Sequence, residues 1–342
     1  MDTFDLIHAN IHRLITQAER IILVAHVRPD GDAIGSILGL GSSLRKLGKD
    51  IQMVIPDGTS KAFQYLPGWQ GIQKTIDHGF DISIILDCSD LTRIGTILGG
   101  TVPDINIDHH ITNENFARIN LVKPEAAATA EIISEFLISE NYPIDVEAAQ
   151  ALLAGILIDT IGFRTTNVTP KTLRIAAQLM EAGADLANLY YKGIIQRSFE
   201  AISYWGKGLS KIQHNGNIVW TKLTLADRAE SNYPGNDDAD LVNLLSTIEP
   251  FPIAILFTEQ SSDKVKVSWR AHPGWDVSQI ALRFNGGGHA AAAGAEIAGK
   301  IDEVENQVLS VTKTYIESKQ LNDKSLVGIN KVENHIRSTG DK

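Results

Sequence analysis

Four short apolar runs constrain this chain more than any other feature: RIILVAH (20–26), IQMVIP (51–56), ISIILD (82–87) and INID (105–108). They are continuous, where a half-exposed strand would alternate with polar residues, so each predicts a strand buried on both faces. A helical pattern lies between the first two, at about 33–47. Others follow the last run at about 127–140, 145–158 and 173–184, the final one ended by Gly183. Buried strands separated by helices or long connections predict a parallel sheet covered on both sides, an α/β domain over residues 1–185.

The pattern changes near Gly206. NIVWTKLTL (217–225), PIAILFTE (252–259) and KVKVSWRA (264–271) predict strands, the last two joined as a hairpin through the turn-rich residues 260–263. Helical patterns near 237–249, 277–284 and 302–317 complete a smaller mixed α/β domain over 206–318. A helical connector over 186–205 joins the two, and residues 319–342 form a polar, weakly patterned tail expected to fray. A chain of 342 residues is long enough for two such domains.

Composition excludes several classes. The longest apolar runs, such as ALLAGILI (151–158), are far shorter than the ~20 residues that span a bilayer. The first residues, MDTFDLIHAN, carry no basic segment ahead of an apolar core, so no export signal or membrane association is expected. Cys88 is the only cysteine, which excludes an intramolecular disulfide and suits the cytoplasm. The formal charge of −10 opposes attraction of long-duplex nucleic acid, so a polyanionic substrate is expected to be short or drawn to a local positive charge.

In an open parallel sheet, ligands bind where the strands end at their carboxyl side. The first strand here ends in HVRPDGD, with His26, Asp30 and Asp32; the third in LDCSD, with Asp87 and Asp90; the fourth in DHH, with Asp108, His109 and His110. A helical run, GILID, delivers Asp159. Each has an ordinary structural explanation. Asp30-Gly31 is a common turn, Asp32 suits a helix N-cap, Asp87 suits a strand-end turn, and a histidine can be a satisfied core group. What outweighs these is convergence, since three strand ends and one helix end present carboxylate or imidazole on the ligand side. So many carboxylates would repel one another without cations between them. The mixed oxygen and nitrogen set, with no thiolate, suits manganese best, with magnesium, cobalt or zinc as alternatives. Six candidate ligands exceed what one ion uses, and a pair of ions sharing a carboxylate would use them all.

At these residues the chain resembles the DHH phosphoesterase family. HVRPDGD, LDCSD, DHH and GILIDTIGF match its four motifs in order, and NGGGHAAAAG (285–294) resembles the signature of its associated C-terminal domain. Overall length and the lack of further domains are most similar to the family's bacterial bifunctional oligoribonuclease and pAp phosphatase branch. The resemblance implies that His26 and Asp30 hold one ion, that Asp32, His109 and Asp159 hold the other, and that Asp87 bridges them. It implies that His110 faces the substrate phosphate and that Asp108 orients an imidazole by accepting its second N–H. After the fourth-motif aspartate the family usually continues with a Thr-Gly pair; here Ile161 stands in the glycine's place. That glycine permits an unusual backbone angle, so the loop carrying Phe163 and Arg164 is expected to differ in shape.

NGGGHAAAAG has two readings: three glycines ending the helix QIALRF with alanines packing beside them, or a phosphate-cradling loop. The resemblance favours the second. It gives Gly286, Gly287, Gly288 and His289 to substrate closure from the second domain, with the active site in the cleft between the domains. Arg270 would grip the terminal phosphate, with Ser268 on the same strand face. Arg93 and Arg164 are further phosphate candidates. The function implied is two-metal hydrolysis of short oligonucleotides (nanoRNA) to mononucleotides and of pAp to AMP; the sequence leaves a homodimer open. An alternative is a phosphodiesterase of cyclic dinucleotides or their linear pNpN products. A nucleotide-binding protein with a degenerate site is disfavoured because all six ligand positions are intact.

Overall fold

The computed structural model describes residues 3–338, with side chains for residues 5–319. Two compact units divide at residues 196 and 197, inside the expected connector. In chain order the first unit contains α1 (Thr3–Gln17), β1 (Arg20–Ala25), α2 (Gly31–Lys46), β2 (Asp50–Val54), β3 (Ile72–Gln73), β4 (Ile82–Leu86), β5 (Ile105–Asp108), β6 (Ile119–Val122), α3 (Thr129–Ser139), α4 (Val146–Asp159), α5 (Pro170–Glu181) and α6 (Leu186–Tyr190). Its six strands run in the order β3-β2-β1-β4-β5-β6, every pair parallel.

Both sheet faces are buried, which accounts for the continuous apolar strands. Ile21, Leu23 and Ala25 of β1 join one large core with residues of all six helices, among them Ile15, Ile37, Phe136, Leu152, Leu179 and Leu189. Ile22 and Val24 face the other way, into a smaller cluster with Val54, Ile85, Cys88, Ile94 and Leu98. That face is covered by loops and a short 3-10 turn at Leu91–Ile94. Cys88 is a packing residue there: it is buried, its Sγ–H donates to the Asp90 carbonyl at 3.0 Å, and burial pushes its thiol up to about 12.

The sheet order reverses between β1 and β4, a topological switch point of the kind where open α/β sheets bind ligands. Over it lie α2 and α4, which cross closely because glycine stands at their contact. A Cβ on Gly35 would meet the Ala151 carbonyl oxygen at 2.5 Å and the Gly155 Cα at 2.9 Å. The crossing brings Asp32, in the first turn of α2, beside Asp159, the last residue of α4.

The second unit contains α7 (Phe199–Leu209), β7 (Gln213–Asn215), β8 (Ile218–Leu223), α8 (Leu225–Glu230), α9 (Leu241–Leu245), β9 (Ile253–Ser261), β10 (Lys264–Ala271), α10 (Ser278–Leu282), β11 (Gly287–His289), β12 (Ala292–Ala298) and α11 (Ile301–Ser338). Its mixed sheet has the order β11-β12-β10-β9-β8-β7, with β9 and β10 as the expected hairpin and β8 parallel to β9. Trp269, Val267 and Phe257 face a core shared with α10 and α11, while Val219, Ala254 and Leu256 face one shared with α7 and α9.

Two expectations change. The tail from residue 319 continues the backbone of α11 as helix to Ser338, because the stretch contains no proline and only one glycine, Gly328; residues 339–342 lie outside the described residues. NGGGHAAAAG is not an open loop: its first residues end α10, the Gly286 N–H donating to the Ala281 carbonyl at 2.9 Å, and the rest forms the β11–β12 hairpin. Asn285, at φ +55°, takes the left-handed angle after α10.

Candidate metal centre

Each ionisable residue reaches the switch point by its own route. His26 follows β1 directly, buried, with Nε2 3.6 Å from Asp87 Oδ2. Asp87 follows β4 at φ +54°, a left-handed angle that aspartate tolerates better than most residues. Asp30, and not Asp32, is the N-cap of α2: its Oδ1 accepts from the Asp32 and Ala33 N–H groups, each at 3.0 Å. The Asp32 carboxylate is therefore turned inward. His109 Nε2 lies 3.6 Å from Asp159 Oδ2 and 3.9 Å from Asp87 Oδ1, while its Nδ1 faces the Ala126 carbonyl at 3.4 Å. With the proton on Nδ1, Nε2 is the nitrogen left to bind an ion.

Three overlapping sets emerge in which one ligand atom per residue lies within 4.8 Å of the others: His26, Asp30 and Asp87; Asp32, His109 and Asp159; and Asp87, His109 and His110. Asp87 and His109 each belong to two. The structure thus brings all six expected ligands to one place, with Asp87 Oδ1 3.9 Å from His109 and Oδ2 3.6 Å from His26.

The electrostatics are those of a site built for cations. Burial pushes the Asp32 carboxyl well above the usual carboxylate range, and the charges of Asp87 and Asp159 push it further. Asp159 is raised in the same way by burial and by Asp30 and Asp87. Burial works against charge on Asp87 too, but His26, His110 and His109 surround it and hold its carboxyl below the usual range. Asp87 Oδ2 is buried with no hydrogen-bond partner, a costly state for a carboxylate oxygen unless a cation meets it. The residues present fit divalent metal.

His110 and Asp108 do different work. Asp108, fully buried, accepts from His110 Nδ1 at 2.7 Å and from the His109 N–H at 2.8 Å. Burial disfavours charge on His110, yet Asp108 and then Asp87 push its pKa up to about 9. Asn113 donates to Asp108 Oδ2, to Asn106 Oδ1 and to the Cys88 carbonyl, pinning the aspartate. Neither asparagine was expected, although Asn106 is a polar residue within the apolar run INID and so carried a signal. Asp90 stays outside the cluster as the cap of the 3-10 turn at Leu91–Ile94.

Arg93 does reach the site, with Nη2 2.9 Å from His26 Nδ1; the same nitrogen lies 2.8 Å from the Val27 carbonyl. One nitrogen cannot donate to Val27 and accept from Arg93 at once. If Nε2 binds an ion, Nδ1–H donates to Val27 and releases the guanidinium from that nitrogen. Arg164 is exposed on the loop after Asp159. Ile161, Gly162 and Phe163 in that loop all have positive φ, +51°, +71° and +65°. A β-branched residue at such an angle is strained, so the chain keeps the backbone that glycine would permit and bears the cost in Ile161.

In the second unit, Ser268 is buried and Arg270 half-buried on β10, where Arg270 Nε donates to Asn243 Oδ1 at 2.8 Å. His289 is exposed on β11. Gly286 and Gly288 are required by the hairpin itself: a Cβ would meet the Gly294 carbonyl oxygen at 2.3 Å and the Ala292 carbonyl oxygen at 2.5 Å respectively. His272, near Arg270 in sequence, pairs through Nε2 with the Ser246 carbonyl.

Comparison with known proteins places this arrangement. Residues 20–156 match the model of the DHH family, N-terminal domain, and residues 216–318 that of the DHHA1 domain. The bifunctional oligoribonuclease and PAP phosphatase NrnA of Thermus thermophilus is 34% identical, over 86% of this chain and 89% of its own. The chain belongs to the DHH family. The protein of the same name from Bacillus subtilis is 26% identical over 83% of this chain and 91% of its own. A solved exopolyphosphatase-related protein from Bacteroides fragilis superposes with a TM-score of 0.84 at 26% identity, covering 93% of this chain and 97% of that one. DHH phosphoesterases use divalent metals, and this DHH chain carries the acidic and histidine clusters to hold them. No helix among the described residues is long and apolar enough to cross a membrane.

Proposed function

We propose that this protein is a two-metal phosphohydrolase that degrades short oligonucleotides to mononucleotides and removes the 3′-phosphate of pAp. The observation that carries the reading is the pair of ligand sets meeting at Asp87, whose Oδ2 is buried without a hydrogen-bond partner. The names of its relatives at 34% and 26% identity support the substrate class.

His26 and Asp30 would hold one ion and Asp32, His109 and Asp159 the other, with Asp87 placed to serve both. Manganese suits this oxygen and nitrogen set best. Two such ions, when bound, lower the pKa of an attacking water and neutralise charge developing on the non-bridging phosphate oxygens. The chain's own part is orientation and proton placement. Asp108 keeps His110 protonated and correctly turned, so that the imidazolium donates to the phosphate in flight. Arg93, once His26 Nδ1 donates to Val27, turns toward a phosphate oxygen, and Arg164 borders the substrate from the loop after Asp159. From the second unit we assign Ser268, Arg270, Gly286, Gly287, Gly288 and His289 to substrate binding. A net charge of −10 disfavours long chains, which carry many phosphates away from the local cations.

A substrate panel tests this: a 5′-phosphorylated dinucleotide, pAp, a long single-stranded RNA, a cyclic dinucleotide and pyrophosphate, each with manganese. The dinucleotide and pAp should be hydrolysed fastest. Equal or faster rates on the long RNA would refute selection of short substrates, and preference for the cyclic dinucleotide would move the assignment to a cyclic-dinucleotide phosphodiesterase.

A further inference from the structure

The start of α3 poses a question of its own. Its N-cap, Ala128, has no side chain able to cap, so the first helical N–H groups need an acceptor elsewhere. They find it 97 residues away in sequence. The Thr129 N–H donates to Asp32 Oδ2 at 2.6 Å and the Ala130 N–H to Asp32 Oδ1 at 3.0 Å, so both oxygens of one carboxylate sit on one helix terminus. The Thr129 hydroxyl then reaches the other way and donates to Asp87 Oδ1 at 3.0 Å. Thr129 is fully buried and none of the sequence motifs includes it.

One residue therefore ties together two carboxylates that belong to different ligand sets. Asp32 is grouped with His109 and Asp159, and Asp87 with His26 and Asp30 through one set and with His109 and His110 through another. The hydroxyl takes Oδ1, the Asp87 oxygen that faces His109 at 3.9 Å, and leaves Oδ2, 3.6 Å from His26 Nε2, without a hydrogen-bond partner. Rotation of the Asp87 carboxylate is thereby restricted, and with it the assignment of one oxygen to each ligand set. Every bond that Thr129 makes falls on the Asp32 and His109 side.

We infer that Thr129 is a positioning residue that sets the affinity of the ion held by Asp32, His109 and Asp159, while leaving the ion held by His26 and Asp30 largely unaffected. The inference rests on the reading of Asp87 as a shared ligand. Hydrogen bonds to ligating carboxylates are worth about 10–100-fold in metal affinity when removed. Thr129→Val keeps the shape of the side chain and both backbone donors, and deletes only the hydroxyl.

The test is calorimetric titration of the metal-stripped full chain with manganese, for wild type, Thr129→Val, Thr129→Ser and Asp87→Ala. Thr129→Val should weaken one of two binding events by roughly 10–100-fold and leave the other within about twofold, with Thr129→Ser close to wild type. The hydrolytic rate of Thr129→Val should shift to higher manganese concentration and recover at saturation. Thr129→Ala, which adds no bulk, supplies the same measurement should the valine variant not fold. Two binding events unchanged in a folded hydroxyl-deleted variant would overturn the inference, as would equal weakening of both. Asp87→Ala should lose the pair of events. If it binds two ions as wild type does, the shared-carboxylate reading fails, and this inference with it.

Discussion

At Gly35 the helix pair that carries Asp32 and Asp159 meets backbone against backbone, and replacing it with alanine separates two effects of opposite sign. In a helix interior alanine is favoured over glycine by about 1 kcal/mol. At Gly35, however, the new Cβ would lie 2.5 Å from the Ala151 carbonyl oxygen and 2.9 Å from the Gly155 N and Cα, all backbone atoms. Backbone of a packed helix cannot turn aside as a side chain can. Restoring ordinary contact distances requires α2 and α4 to part by about 1 Å. Overpacking of this kind costs about 1–3 kcal/mol or more, so after the alanine gain the net effect is a loss of up to about 2 kcal/mol or more. The same movement draws Asp32 away from Asp159, and a 1 Å misplacement at a reacting centre is worth about 100-fold in rate. The matched control is Gly206→Ala on the exposed face of α7, where nothing lies within 4 Å of the added carbon. It should gain about 1 kcal/mol and leave hydrolysis unchanged. Urea denaturation in the presence of a chelator measures the stability, and dinucleotide hydrolysis with manganese measures the rate. If Gly35→Ala proves as stable and as active as wild type, the close crossing does not hold the two aspartates together and the reasoning is wrong.

Two further outcomes follow from the same site. Ile161→Gly should raise the urea midpoint by an amount corresponding to roughly 0.5–1 kcal/mol, the relief of a β-branched residue at φ +51° less the added freedom of glycine in the unfolded chain; an unchanged or lower midpoint would contradict the strain. The metal-free protein should lose stability as pH rises from about 5 to 9. Asp32 and Asp159 have folded pKa values above their unfolded ones, so the folded state binds more protons above pH ~4, and His26 and His110, the latter raised to about 9, add to the same trend. Asp87, held low, acts oppositely only where pH falls below the ordinary carboxylate range. Thermal melts in chelator should show the decline, Asp32→Asn should reduce its slope, and manganese should restore stability at pH 8; a flat profile in chelator would count against the buried carboxylate cluster.

How much of this was legible in the sequence depended on burial. β1, β2, β4 and β5 were readable because burial on both faces forces uninterrupted apolar runs. β3, two residues long, and β6, mostly half-buried at the sheet edge, leave no such run. β7 is wholly exposed, and β11 and β12 are built mostly from glycine and alanine, whose small side chains give no period. The site's charged residues stood out because an ionisable group at the end of an apolar strand is conspicuous. Their supports did not. Thr129, Asn106 and Asn113 act through neutral hydrogen bonds, and the contact of α3 with Asp32 depends on two segments meeting only in the fold. The Asp30 and Asp32 roles were blurred for a related reason, since either aspartate suits a cap and only the chain's path decides between them.

The most direct test of the central claim is an anomalous difference map of crystals grown with manganese and recorded near its absorption edge. The account predicts two peaks about 3.5–4 Å apart, with Asp87 between them, one beside His26 and Asp30 and the other beside Asp32, His109 and Asp159. A single peak, or two peaks that do not share Asp87, would contradict it.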